Sequence, residues 1–155
     1  MENPIVEPGG LAERYSNEVL SLLRIITAAL FLQHGMTKIL GYPWSSASDP
    51  PMWSLLWVAG MIELVGSFLL LIGLFSRPVA LLLSGEMAIG YFMVHAPQNA
   101  FPMLNGGEAA VLFCFIFLYI AFEGPGPWSI DAIMKRKRVE AGEGYYASMH
   151  RGATE

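Results

Sequence analysis

The sequence predicts an all-α integral membrane protein: a four-helix up-down bundle with both termini cytoplasmic and a short C-terminal interfacial helix. Three observations carry this prediction. The chain of 155 residues is 54% apolar and only 14% charged, whereas a soluble domain carries about 25% charged residues. Long apolar runs alternate with short loops rich in Pro, Gly and Ser, and the basic residues fall in only some of the connecting segments. A single membrane domain is the simplest arrangement at this length.

The longest apolar run, residues 54–75, contains one charged side chain, Glu63. As a helix it would be about 33 Å long at ~1.5 Å per residue, enough to cross the hydrocarbon core of a bilayer. The predicted spans are 17–40, 54–75, 78–95 and 108–122. After them we expect an interfacial helix at 129–138, with Ser129 as its N-cap and Asp131 as a favourable acid in its first turn.

The remaining segments are polar and rich in helix-breaking residues. The sequence therefore divides into a flexible N-terminal segment (1–16), the transmembrane domain with its interfacial helix (17–138) and a disordered polar tail (139–155). Trp44 and Trp53 bracket the first loop, as aromatic anchors at a membrane interface do. In the hairpin between the second and third spans, Ser76 is a candidate helix cap.

Orientation follows from the distribution of the nine Lys and Arg residues. Seven of them lie in the N-terminal segment, the hairpin after the second span and the C-terminal tail: Arg14, Arg77, Lys135, Arg136, Lys137, Arg138 and Arg151. With four spans these three regions lie on one side of the membrane, and the positive-inside rule makes that side cytoplasmic. The localisation predicted is a multi-pass protein of the bacterial inner membrane.

Three ionisable residues lie deep inside the predicted spans: Arg24, Glu63 and Glu86. A charge at the centre of a span costs about 2.5–3.5 kcal/mol on insertion scales, so such groups pair with one another or serve a function. We expect a buried charge network in which Arg24 pairs with Glu63 or Glu86. Whether the network only fixes the register of the helices or also has a function is left open by the sequence.

A second polar group lies near the outer face of the bundle. Its candidate catalytic residues are His34, Lys38, His95 and Glu108, with Asn105 in the adjoining loop. His34, Asn105 and Glu108 are the candidates for holding a cofactor, because they could bind the carbonyl or hydroxyl of a quinone head group while a histidine exchanges protons. A metal site is not predicted, since no HxxxH or ExxH spacing supports one. Glu86 and His95 are nine residues apart and would face opposite sides of an ideal helix, so both point inward only if the helix departs from α geometry near Pro97.

Four motifs carry a resemblance to a known family. They are FLQHGMTKIL (31–40), GMIELVGSFLLLIGLFSRPVA (60–80), NGGE (105–108) and PGPWSID (125–131). In this order they resemble the DoxX family of small four-helix bacterial membrane proteins, over roughly residues 22–133. The resemblance implies an inner-membrane protein with a redox role. Some members are similar to the membrane subunit of thiosulfate:quinone oxidoreductase, and others associate with a superoxide dismutase and a sulfurtransferase.

Three functions stay open at this point. The first is the membrane subunit of an oxidoreductase system that binds quinone through the outer polar group. The second is a non-catalytic anchor or scaffold for soluble redox-defence proteins, and the third is a carrier of protons or a small solute through Glu63 and Glu86. The expected partners are the lipid bilayer, soluble redox proteins and a second copy of the chain, and nucleic acid is not among them. Because the sequence has no nucleotide-binding glycine pattern and a single cysteine, we expect at most a subunit of an enzyme.

Overall fold

The computed structural model of the protein describes residues 11–43 and 50–151. Over these ranges the chain forms helices and no strand. The helices are α1 (Leu11–Leu40), α2 (Leu55–Ile72), α3 (Ser76–Gly90), α4 (Pro102–Asn105), α5 (Glu108–Glu123) and α6 (Ile130–Arg151). Helix α3 runs on without a break into one π-helical turn, Tyr91–His95. The all-α class is confirmed.

The helices correspond to the predicted segments but differ from them at both ends of the chain. Helix α1 begins at Leu11, inside the segment 1–16 that the sequence indicates is flexible, and α6 continues to Arg151 through most of the tail predicted to be disordered. The short helix α4 is not predicted at all. Residues 1–10, Trp44 and the last four residues lie outside the described part of the chain.

Three of the helices are long and apolar enough to cross a membrane: α1 from Arg14, α2, and α3 together with its π turn. Helix α5 is equally apolar but has 16 residues, or about 24 Å at ~1.5 Å per residue, which is short for a span. Four helices nevertheless pack together, α1 against α2, α3 against α5, α2 against α3, and α1 against α5. A count of four spans remains a prediction.

The distribution of side chains is the reverse of that in a water-soluble bundle. Arg24, Glu63 and Ser67 are buried, with at most 1% of their surface exposed. Large apolar side chains cover the outside of the long helices, among them Leu22, Ile26 and Leu30 on α1, Phe68 on α2, Leu81, Leu82 and Ile89 on α3, and Leu112 and Phe115 on α5. Apolar surface of this extent is stable only against lipid or another protein.

Charged side chains hold the helix ends together where α2 ends and α3 begins. Asp131 of α6 accepts hydrogen bonds from the backbone N–H groups of Phe75 (3.0 Å) and Ser76 (2.8 Å). It is therefore Asp131 that caps α3, and the prediction that Ser76 caps this helix is corrected. The prediction for Ser129 is confirmed, because its Oγ accepts from the N–H of Ala132 at 3.1 Å.

Arg77 of α3 binds the end of α5. It donates to the last carbonyl groups of that helix, at Ala121, Phe122 and Glu123.

Candidate functional site

The clearest pairing of charges inside the bundle is between Lys38 of α1 and Glu63 of α2. The Nζ of Lys38 lies 2.5 Å from Oε1 of Glu63, with 29% of the lysine side chain exposed and 2% of the glutamate. The second carboxylate oxygen, Oε2, is also buried but has no hydrogen-bond partner. A buried acceptor without a donor is destabilised by about 1–3 kcal/mol, so this oxygen is available to a ligand.

Glu86 of α3 is the third charged residue near the Lys38–Glu63 pair. It lies within electrostatic range of both Glu63 and Lys38. Both of its carboxylate oxygens are buried and neither has a hydrogen-bond partner. Together Lys38, Glu63 and Glu86, which we call the polar site, bring one amine and three unpaired carboxylate oxygens to the junction of α1, α2 and α3.

Glycines allow α1 and α2 to approach closely enough for this pairing. A Cβ on Gly35 would lie 2.4 Å from the backbone nitrogen of Leu64, the residue after Glu63. One turn away, a Cβ on Gly60 would lie 2.9 Å from the Cβ of Lys38. Small residues at a helix contact bring backbones together in the same way in other membrane proteins.

Arg24 does not join the carboxylates as predicted. Its guanidinium donates instead to four backbone carbonyl groups: Leu70 (2.5 Å) and Leu71 (2.7 Å) at the end of α2, and Pro125 (2.9 Å) and Trp128 (2.5 Å) in the segment before α6. The carbonyl groups of the last turn of a helix have no partner within that helix. Arg24 therefore closes the end of α2, and the buried network of Arg24, Glu63 and Glu86 is corrected to one of Lys38, Glu63 and Glu86.

His95 and Asn105 lie together at the far end of α3. The Nδ1 of His95 is 2.9 Å from the backbone oxygen of Asn105, and the histidine ring stacks on Tyr91 with 6.2 Å between ring centroids. Asn105 is buried, and its side chain donates to the Asn99 carbonyl (2.8 Å) and accepts from the Gly107 N–H (2.8 Å). These bonds organise the connection between α3 and α5.

The π turn at Tyr91–His95 bears on the direction of His95 relative to Glu86, which the sequence leaves open. Its N–H to carbonyl bonds span five residues, as in the 2.9 Å bond from Ala96 to Tyr91. A π turn contains more residues than an α turn, so it changes the direction in which later side chains project. Glu86 and His95 therefore need not face opposite sides of the helix, and π turns are frequent at functional sites.

The other two members of the predicted outer group lie apart. His34 is exposed and packs edge-on against Phe113, with 5.8 Å between centroids, and beside Phe31 at 5.7 Å. Glu108 is exposed in the first turn of α5. Within the described ranges, no hydrogen bond or ion pair joins either residue to Lys38, His95 or Asn105. The structure thus divides the predicted group, placing Lys38 in the polar site and His95 with Asn105.

Chemically, the polar site offers both hydrogen-bond donors and acceptors in apolar surroundings. An ammonium group can donate three hydrogen bonds and carboxylate oxygens accept them. Electrostatic interactions are stronger in a site with few water molecules than in solution. Such a site suits a small ligand with carbonyl or hydroxyl groups, or the transfer of protons.

The family model for DoxX matches residues 19–96, about half of the chain. An uncharacterized protein of Haemophilus influenzae is 43% identical over 128 residues, which cover 77% of this chain and 92% of the relative. A second uncharacterized protein of that organism is 26% identical over 126 residues, covering 76% and 83%. No solved structure matches the chain significantly.

Proposed function

The chain belongs to the DoxX family, and on that premise we propose that it is a multi-pass protein of the bacterial inner membrane that binds quinone as the membrane subunit of an oxidoreductase system. The family and the three long apolar helices make it a membrane protein. In the proposed topology α5 is a fourth span, and both termini are cytoplasmic. Contacts that bring the start of α6 to the end of α2 support this arrangement, since they place the basic residues of α6 and of the hairpin at one end of the bundle.

One observation carries the proposal of quinone binding. The polar site holds one amine and three unpaired carboxylate oxygens that are buried among apolar helices. A quinone carbonyl accepts hydrogen bonds, for which Lys38 is the donor. A quinol hydroxyl donates them, for which Glu63 Oε2 and the Glu86 carboxylate are the acceptors. Reduction of quinone takes up two protons and two electrons. The acids supply a route for the protons, and the electrons come from a soluble redox protein.

We assign His95 and Asn105 a role in enclosing the polar site. His95 and Asn105 fix the connection between α3 and α5, at the same end of the bundle as the Lys38 end of α1. His34 and Glu108 remain candidates for contacts with the head group from the exposed side of that end. The resemblance of other family members to the membrane subunit of thiosulfate:quinone oxidoreductase also favours quinone binding.

The test is a binding titration of the purified protein, in detergent micelles, with decylubiquinone as the probe. We expect saturable binding with one quinone per chain. Replacing Lys38 with Met removes the charge-assisted hydrogen bond to a quinone carbonyl, which is worth about 1.5–3 kcal/mol, and weakens decylubiquinone binding about tenfold or more. Replacing Glu86 with Gln removes an acceptor for a quinol hydroxyl, so it should weaken binding of the reduced probe, decylubiquinol, by a similar factor. Glu123→Gln, at an exposed position on α5, is the matched control and should bind as the parent does.

Two results would count against this assignment. If the parent protein shows no saturable binding, the function is wrong. If Glu108→Gln or His34→Ala abolishes decylubiquinone binding while Lys38→Met leaves it intact, the quinone lies at the outer residues and not at the polar site.

The same unpaired carboxyl groups also favour a second candidate, a proton carrier. Buried ionisable groups within spans mark proton pathways in many membrane proteins. Proteoliposomes containing the protein would then dissipate a proton gradient without any quinone, and Glu86→Gln would stop that flux.

A further inference from the structure

A groove of about 550 Å³ lies at the opposite end of the molecule from His95 and Asn105. One side is formed by the first part of α1 at Asn17 and Glu18, and the other by α6 at Lys135 and Arg136. The Gly126–Pro127 segment lines it between the two helices. None of these residues belongs to the polar site, so the groove has no part in the proposed quinone chemistry.

The lining of the groove carries both signs of charge. Lys135 and Arg136 are exposed cations, and Glu140 lies one turn further along α6. Glu18 faces them from α1. Its Oε2 is buried and has no hydrogen-bond partner, which leaves an acceptor in the wall of the groove without a donor. A ligand that satisfies this arrangement needs an anionic group for the cations and a hydrogen-bond donor for Glu18, and a cationic N–H group is the strongest such donor.

The groove also lies where the head groups of a bilayer would be. The first turn of α6 is bound to the α2–α3 hairpin, since the N–H of Asp131 donates to the Gly73 carbonyl at 3.0 Å. This fixes the groove beside the end of a helix long enough to span a membrane. Trp128, next to the groove segment, is 55% exposed, and tryptophan is enriched at the membrane–water interface.

We propose that this groove binds the head group of phosphatidylethanolamine, a zwitterionic phospholipid with a primary ammonium. The phosphate pairs with Lys135 and Arg136, and the ammonium donates to Glu18 Oε2. Phosphatidylcholine has the same phosphate, but its quaternary ammonium has no N–H to donate. Phosphatidylglycerol has the phosphate but no cation for Glu18. The charge pattern of the groove therefore selects the aminophospholipid over both.

The experiment is a lipid competition on the full-length, delipidated protein in detergent. The protein is mixed with equal amounts of phosphatidylethanolamine, phosphatidylcholine and phosphatidylglycerol, and the retained lipids are counted by native mass spectrometry. We expect phosphatidylethanolamine to be retained about tenfold over phosphatidylcholine, as one charge-assisted hydrogen bond would give. Glu18→Gln should remove that preference, and Lys135→Gln should reduce retention of both phosphatidylethanolamine and phosphatidylcholine. Lys137→Gln, on the same helix but outside the groove lining, is the matched control.

Three outcomes would overturn the proposal. One is equal or greater retention of phosphatidylglycerol, which would indicate attraction of anionic lipid by the basic residues alone. Another is an unchanged preference in Glu18→Gln. The third is displacement of the lipid by free phosphoethanolamine at comparable concentration, which would indicate a soluble ligand. Decylubiquinone binding by Glu18→Gln, measured in parallel, keeps this result separate from the fate of the proposed quinone site.

Discussion

Arg24 is fully buried, yet its direct partners are carbonyl oxygens and not a carboxylate. A guanidinium presents five N–H donors in a rigid plane, so one side chain can bind the end of α2 and the segment before α6 together. Gly73 makes room for it, since a Cβ there would lie 3.2 Å from the guanidinium carbon. At the scale of one residue, Arg24 stabilises the fold by holding the end of α2 against the segment before α6.

Replacing Arg24 with Lys should destabilise the protein although the charge is kept. A lysine has three donors on a single nitrogen and cannot reach four carbonyl groups in two segments. Leaving buried acceptors unpaired costs about 1–3 kcal/mol each, and each kcal/mol lowers the melting temperature of a chain of this size by about 2–4 °C.

The measurement is the midpoint of thermal unfolding in detergent, followed by size-exclusion chromatography of heated samples. The matched control is Arg14→Lys, on the same helix at an exposed position, which should leave the midpoint unchanged. Equal midpoints for Arg24→Lys and Arg14→Lys would show that the four carbonyl contacts do not stabilise the fold.

Sequence reasoning identifies the residues of the polar site better than it identifies their partners. Glu63 and Glu86 are recognisable because a carboxylate within an apolar span is rare. The partner of Glu63 is not, because Lys38 lies near the end of its predicted span and is therefore grouped with the residues of the outer face. Arg24 is misassigned for a related reason. An arginine within a span is expected to pair with a carboxylate, whereas the backbone carbonyl groups at a helix end cannot be recognised from the pattern of side chains.

At the scale of the elements, the contact of α1 with α2 sets the geometry of the polar site. Its closest point is Gly35 against the backbone of Leu64. Lys38 follows Gly35 by one turn and Glu63 precedes Leu64, so the separation of the two helices at this point decides whether the ion pair forms. The role of Gly35 could not be predicted from the sequence, because no apolar pattern shows which face of α1 contacts a neighbouring helix.

Gly35→Ala should push α1 and α2 apart and weaken the site. An added methyl group 2.4 Å from a backbone nitrogen cannot be accommodated without a shift, and overpacking of this kind costs about 1–3 kcal/mol. Gly85→Ala on α3 is the matched control. Nothing lies within 4 Å of its added Cβ, and Ala is favoured over Gly in a helix by about 0.5–1 kcal/mol.

We expect Gly35→Ala to lower both the thermal midpoint and the affinity for decylubiquinone, while Gly85→Ala keeps or raises the midpoint. If Gly35→Ala retains the parent's midpoint and affinity, then the close approach of α1 and α2 is not what holds Lys38 against Glu63.

The positions of the long helices could be predicted from the sequence, because apolar runs bounded by Pro and Gly are strong signals. Helix α4 and the extension of α6 could not. Helix α4 has four residues, too few for any periodicity. The sequence of residues 141–151, AGEGYYASMHR, mixes small, polar and aromatic residues without the repeating apolar positions that predict a helix.

At the scale of the whole molecule, the arrangement has an apolar outside and ionic groups inside. The buried residues Arg24 and Glu63 contrast with exposed leucines on every long helix. In water this arrangement would expose a large apolar surface, whereas in a bilayer it satisfies both the lipid and the polar groups. The quinone proposal and the lipid-groove proposal both depend on this orientation of the helices in a membrane.

The most direct test of this central claim is the accessibility of single cysteines to a membrane-impermeant maleimide, measured in intact cells and after lysis. The natural Cys114 is first replaced with Ala. Single cysteines are then placed at Gln98, between α3 and α4, at Lys137 on α6, and at Ser67, which is fully buried beside Glu63.

We expect the Gln98→Cys protein to be labelled in intact cells and the Lys137→Cys protein only after lysis. The Ser67→Cys protein should react in neither condition until the protein is denatured. Labelling of positions 98 and 137 from the same side, or ready labelling of position 67 in the folded protein, would contradict a membrane-crossing bundle that encloses the polar site.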